Sequence, residues 1–133
     1  IRVYALIIFK NNIVLSRELS QNKLISKFPG GGVELGEGFV DALQREAKEE
    51  MGQHLNHITH FYTTDFFQRS SFDSSEQLIS IYFKASLSQH LNNRFKIPVK
   101  DQPVFEWKTL VDLNEEDLHF PIDKKVLNMI KLQ

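Results

Sequence analysis

The sequence predicts an α/β domain with a mixed β-sheet between helical layers, and three observations carry that expectation. β-rich runs and a helix-periodic run alternate in the order strands, helix, strands, helix. The first run, RVYALIIFK from Arg2 to Lys10, has little polar interruption, as in a strand covered on both faces. Residues Phe39 to Met51 repeat apolar positions at helical spacing. A chain of 133 residues suits one domain spanning 1–133. At that size it buries roughly two-thirds of the surface that the unfolded chain exposes.

Each element has its own local reason. After the first strand, Asn11-Asn12 is a turn signal and IVLSRE continues as the hairpin partner. Leu24 to Phe28 reads as a short strand ending at Pro29, and Gly30, Gly31 and Gly32 break any regular pattern. In the helix, Val40, Leu43, Ala47 and Met51 share one face. Gly52 suits the left-handed residue past its end. Gly38 caps its start less well than Ser or Thr would, while Asp41 complements the helix dipole. Ile58 to Phe67 and Gln77 to Leu87 form a long hairpin around the polar loop QRSSFDSSE. Val104 to Leu110 is another strand, Asn114 to Leu118 a helical turn, and Ile122 to Leu132 a closing helix with Val126, Leu127 and Ile130 inward. Eleven phenylalanines predict a ring-rich core.

Composition removes several function classes. A formal net charge of −1 provides no global field for polymeric nucleic acid or anionic lipid. The absence of cysteine excludes disulfides and thiolate metal sites and fits a reducing, cytoplasmic setting. No apolar run approaches a membrane span. The chain opens on Ile1 rather than Met, which leaves a preceding segment undecided.

The chemistry concentrates in FPGGGVELGEGFVDALQREAKEEMG, where five glycines in nine residues precede a helix carrying Glu46, Glu49 and Glu50. At about 100° per residue, Glu50 lies roughly 20° from Leu43 and Glu46 roughly 60°, both near the apolar stripe; Glu49 lies about twice as far as Glu46. Like charges four apart cost an exposed helix only about 0.2–0.5 kcal/mol. At a partly buried seam, one close pair costs about 4 kcal/mol. Arg45 can offset one carboxylate but not three plus Glu37. Oxygen ligands without Cys or clustered His favour a hard divalent ion, Mg²⁺ or alternatively Mn²⁺. The glycine loop offers close backbone approach and a free carbonyl. Taken singly, an REAKEE helix is usually a solvated face and a glycine run usually a turn.

The joint spacing is more specific. Gly31, five residues, Glu37, seven residues, then Arg45-Glu46-Ala47-Lys48-Glu49-Glu50-Met51-Gly52 resembles the Nudix box, the signature of the Nudix hydrolase superfamily of MutT-like proteins. Gln53 departs from the pattern, standing where an aliphatic residue is usual. The resemblance implies an α/β/α sandwich with a mixed central sheet. It also implies hydrolysis of a nucleoside diphosphate linked to another moiety, with a nucleotide-type small molecule as partner. Carried onto this chain, Glu46 and Glu50 match the main metal ligands, and Glu49 a glutamate that binds metal or handles water. The Gly30 carbonyl matches a backbone ligand, and Arg45 with Glu37 a supporting ion pair. The base that takes the proton of the attacking water is Glu49 or an acid outside the box. Asp101 is preferred there, with Glu106 and Glu76 as the others.

For the substrate, Tyr62, Phe66, Phe67, Phe72 and Trp107 are candidate stacking rings, and Arg17 and Arg69 candidate phosphate contacts. No proline falls near Gln68, where the ADP-ribose subgroup has one, and IVLSRELSQNKLISK does not match the arginine-rich coenzyme A segment. Both absences lean towards a nucleoside triphosphate or another nucleotide derivative. The family resemblance admits a homodimer, which no residue decides. Two other readings stand beside the enzyme: a non-catalytic Nudix-fold module that senses a nucleotide, and an interaction domain presenting an acidic helix.

Overall fold

The computed structural model describes residues 1–91, 98 and 101–133. Along the chain run β1 (Arg2–Phe9), β2 (Asn12–Ser20), β3 (Lys23–Lys27), β4 (Gly30–Gly32), α1 (Phe39–Met51), β5 (Leu55–Thr63), β6 (Ser80–Leu87), β7 (Val104–Thr109), a 3₁₀ turn (Glu115–Asp117) and α2 (Pro121–Lys131). The sheet order is β3-β2-β1-β6-β5, with β4 added to β1 and β7 to β2. β1 and β6 are parallel and the other pairs antiparallel, so the sheet is mixed as expected.

The period of two in β1 explains its unbroken apolar run. Val3, Ala5 and Ile7 join a cluster with Ala42, Leu43, Ala47 and Met51 of α1. Tyr4 and Leu6 join another with Ile122, Val126, Leu127 and Ile130 of α2. Each helix therefore covers one face, and the α/β/α sandwich follows from alternate residues of one strand having separate partners. The core is mainly aliphatic: only Phe28, Phe83 and Phe105 are buried among the described phenylalanines, while Phe9, Phe67 and Phe72 lie largely in solvent.

Three local expectations change. The glycines Gly30–Gly32 do not end regular structure; they pair with Arg2–Tyr4 as β4. Val40 is exposed, and Ala42 takes its place on the buried face of α1. The hairpin strands begin and end a few residues from their sequence limits, at Leu55–Thr63 and Ser80–Leu87. The helix ends match. Gly38 N–H donates to Asp41 Oδ2 at 3.0 Å, so the carboxylate supplies the cap that glycine lacks. Gly52 has φ 68° and its N–H donates to Lys48 O. Gly52→Ala is expected to cost about 1 kcal/mol of stability in denaturant melts, because an alanine resists the left-handed backbone.

Candidate active site

The glycine loop is shaped by the strand it crosses. At Gly30, φ is 153° and an added Cβ would fall on the Val3 carbonyl oxygen. An added Cβ at Gly31 would collide with the Glu46 carboxylate. Gly30 therefore lets the backbone press against β1, and Gly31 lets it press against the acid helix, as only glycine can. Gly31→Ala is expected to push Glu46 aside and lower kcat/KM by roughly tenfold while the melting temperature stays close to wild type.

Arg45 is the hub of this junction. Its Nε donates to Glu37 Oε2 at 2.6 Å and its Nη2 to Glu37 Oε1 at 3.0 Å, a two-pronged clamp. Nη2 also reaches Gly32 O at 2.9 Å, and Nη1 reaches Glu46 Oε1 at 2.9 Å and Glu49 Oε2 at 3.3 Å. The Arg45 bond, together with the Glu34 N–H, holds Glu37 below the usual carboxylate range, and Glu37 in turn raises Arg45. The loop is thus tied to the helix by one guanidinium.

The acids divide as the helical projection predicts. Glu46 and Glu50 are partly buried, whereas Glu49 is exposed. Burial pushes Glu50 up to about 7; Lys27 opposes that rise, while Glu46 and Glu18 add to it. Glu46 and Glu50 are one helical turn apart, and Glu46 is close enough to add to the rise at Glu50. Among the described residues, no three His, Asp or Glu side chains stand as a ready-made ligand cluster. The donor set still fits a hard cation, because a divalent ion would offset the charge of neighbouring, partly buried carboxyls.

A hollow of about 400 Å³ is lined by Glu18, Glu46, Glu49, Glu50 and Asp101, among others. Asp101, exposed with φ 62°, faces the same space as the box acids. Glu106 does not: it pairs with Arg17 at 3.9 Å and Lys108 at 3.6 Å beside a different hollow on the β2–β7 side, where Trp107 also stands. Glu76 sits in the β5–β6 loop, where its carbonyl accepts the Ser70 N–H.

A family model described as NUDIX domain matches residues 1–131. The chain belongs to the Nudix family. It is a Nudix hydrolase, and hydrolysis of nucleotide pyrophosphates with a divalent cation is the general chemistry of such enzymes. Solved Nudix structures share the fold at low identity. One of the MutT structures of Aliivibrio salmonicida and Vibrio cholerae has a TM-score of 0.74 and 21% identity, covering 99% of this chain and 96% of that one. A MutT NUDIX hydrolase from Burkholderia pseudomallei gives 0.76 and 21%, covering 97% and 95%. A NUDIX hydrolase from Nitrosomonas europaea gives 0.78 and 16%, covering 98% and 87%. No curated protein matches the sequence.

The Nudix box departure at Gln53 has a physical account. Gln53 is buried at the helix end, and its amide binds the segment that follows β6, donating to His90 O at 3.0 Å and accepting from Gln89 N–H at 3.4 Å. Hydrogen bonds replace the apolar contact usual there.

A second cavity, about 240 Å³, opens between the sheet and α2. Of the sequence candidates, Phe72 and Arg69 line it. Tyr62 packs on Tyr82, Phe66 lies under Lys125 and Phe67 under Arg69. The sequence reading missed Arg2, Tyr4, Glu18, Lys27, Tyr82 and Asp123, all on this wall. The one available signal was Lys27, a cation in the strand leading into FPGGG. Asp123 looks like an ordinary first-turn acid, yet it is fully buried. Among the described residues, no helix is long and apolar enough to cross a membrane.

Proposed function

We propose that this Nudix hydrolase cleaves the pyrophosphate linkage of a nucleoside diphosphate derivative, a nucleoside triphosphate first among them, with Mg²⁺ or Mn²⁺ as cofactor. One observation carries the reading: Glu46, Glu49 and Glu50 line one hollow together with Glu18 and Asp101, a concentration of carboxylates that a divalent cation would offset. Glu46, Glu50, Glu49 and the Gly30 carbonyl would hold the ion. When bound, it supplies charge neutralisation of the phosphate oxygens and a more acidic water.

The chain's own groups do the rest. Arg45 and Glu37 fix the glycine loop against the helix, with Arg45 on the Gly32 carbonyl and Gly31 against the Glu46 carboxylate. A water oxygen forms a new bond to phosphorus, the bridging anhydride bond breaks, and the leaving phosphate takes the electron pair. The water's proton passes to a carboxylate. Glu49 and Asp101 share the acidic hollow, which favours them over Glu106 beside its two cations. Residues 1–133 act as one catalytic domain, and the cysteine-free composition fits a cytoplasmic setting.

The test is a substrate panel with Mg²⁺ and with Mn²⁺, covering nucleoside triphosphates, oxidised nucleotides, sugar nucleotides, ADP-ribose and diadenosine polyphosphates. Release of a nucleoside monophosphate from one class is the expected result. Metal-dependent binding of nucleotides without any product would instead support the sensing module.

A further inference from the structure

We propose that Gln53 is a positioning residue for the hydrolysis: its side-chain amide fixes the chain that leaves β6 and so holds Asp101 and Gln102, which lead into β7, at the acid hollow. The proposal rests on the hydrolase reading above and adds to it a residue outside the acid set.

The starting point is a buried amide where an aliphatic side chain is usual. α1 ends in the left-handed Gly52, and the Gln53 N–H returns to Ala47 O at 3.4 Å. In such a closing turn, the residue after the glycine commonly makes an apolar contact back onto the helix. Gln53 is as buried as that contact requires, at 8% exposed, but its buried end is polar. A primary amide presents a carbonyl beside an N–H, as a peptide group does. Gln53 therefore pins two successive backbone groups, accepting from Gln89 N–H and donating to His90 O. Ser88, one residue earlier, is tied to the chain around the start of β5 through Asn56 and His54. Gln53 carries that tie beyond the end of β6 at Leu87.

The other end of the β6–β7 connection comes to the same place. Gln53, Gln89 and His90 line a hollow of about 290 Å³ together with Glu50, Gln102 and Pro103. Gln102 and Pro103 also line the acid hollow, beside Asp101. They therefore stand between the two spaces. Asp101 has φ 62°, a left-handed backbone that a non-glycine residue keeps only where its surroundings favour it. Releasing Gln89 and His90 loosens the wall on which those surroundings rest, and it reaches Asp101 without touching the box acids.

An apolar replacement separates filling space from pinning the backbone. Gln53→Leu fills the volume, while Gln89 N–H and His90 O, both on exposed residues, turn to water. The melting temperature is expected to stay within about 4 °C of wild type. With Mg²⁺ and whichever substrate of the panel the wild type cleaves, kcat should fall about tenfold while KM stays within about twofold. Hydrogen exchange at the Gln89 amide, read by NMR on the full chain, should quicken about tenfold, and Gln53→Glu, which keeps the acceptor, should recover part of that protection. Asp101→Asn alone should slow turnover, and adding Gln53→Leu to it should cost no more than about a further twofold. If Gln53→Leu does not fold, Gln53→Met replaces it. Unchanged kcat in Gln53→Leu, full additivity with Asp101→Asn, an Asp101→Asn enzyme as fast as wild type, or a wild-type Gln89 amide that exchanges like a free loop overturns the proposal. Turnover of no substrate by the wild type sinks the hydrolase reading and this role with it; normal turnover that is indifferent to Gln53 sinks the role alone and leaves the enzyme intact.

Discussion

Replacing Glu50 with Gln should yield a better-folded and almost inactive protein. The folded carboxyl holds its proton up to about 7, against an ordinary value of 4.5. Between those values the folded chain binds more protons than the unfolded one, so stability without metal falls as pH rises through this interval. Glutamine removes the penalty and keeps a hydrogen-bonding group beside Glu46. The gain at pH 8 is expected to be about 1–2 kcal/mol, reduced from a full conversion of the shift because the side chain is partly exposed. Below about pH 4.5 the two proteins should melt together. Activity should move the other way, falling roughly a thousandfold, because a lost ligand removes several kcal/mol of charge stabilisation. Adding Mg²⁺ should raise the melting temperature of the wild type and not of Glu50→Gln. Undiminished hydrolysis by the variant would remove Glu50 from the metal site. Greater stability with unchanged function would favour the interaction domain.

Arg45→Lys tests the junction rather than the acids. A lysine keeps the charge but cannot span Glu37, Gly32 and Glu46 at once, because the fork geometry is lost. A drop of about a hundredfold in kcat/KM is expected, together with roughly 2 kcal/mol of stability, as the glycine loop loses its tie to α1. The two losses have one origin. A Glu37→Gln variant should therefore reproduce most of both, and the double variant should fall well short of their sum. Full additivity in that cycle would show that Arg45 and Glu37 act separately.

The acidic half of the site was legible in the sequence because its residues lie within one loop and one helix. Spacing alone places Glu46 and Glu50 beside the buried stripe and Glu49 outside it, and the side chains follow that order. The Arg45–Glu37 clamp is similarly local. The cavity half was not legible, because Arg2, Lys27, Tyr82 and Asp123 come from four separate segments joined by the β1–β6 and β2–β3 pairings and the return of α2. Ring counting misled for the same reason. Phenylalanines in polar loops, such as Phe67 and Phe72, have no sheet face to enter, and the core was filled by aliphatic residues whose alternation was visible all along. The glycine run misled differently: as β4 it gains its order from Arg2–Tyr4, a partner nearly thirty positions away.

The alternation in β1 has one more consequence. Its odd-numbered residues pack under the acid helix and its even-numbered residues form part of the opposite wall. A change of side chain on one face of that strand therefore disturbs the packing under a single helix and leaves the cluster behind it intact.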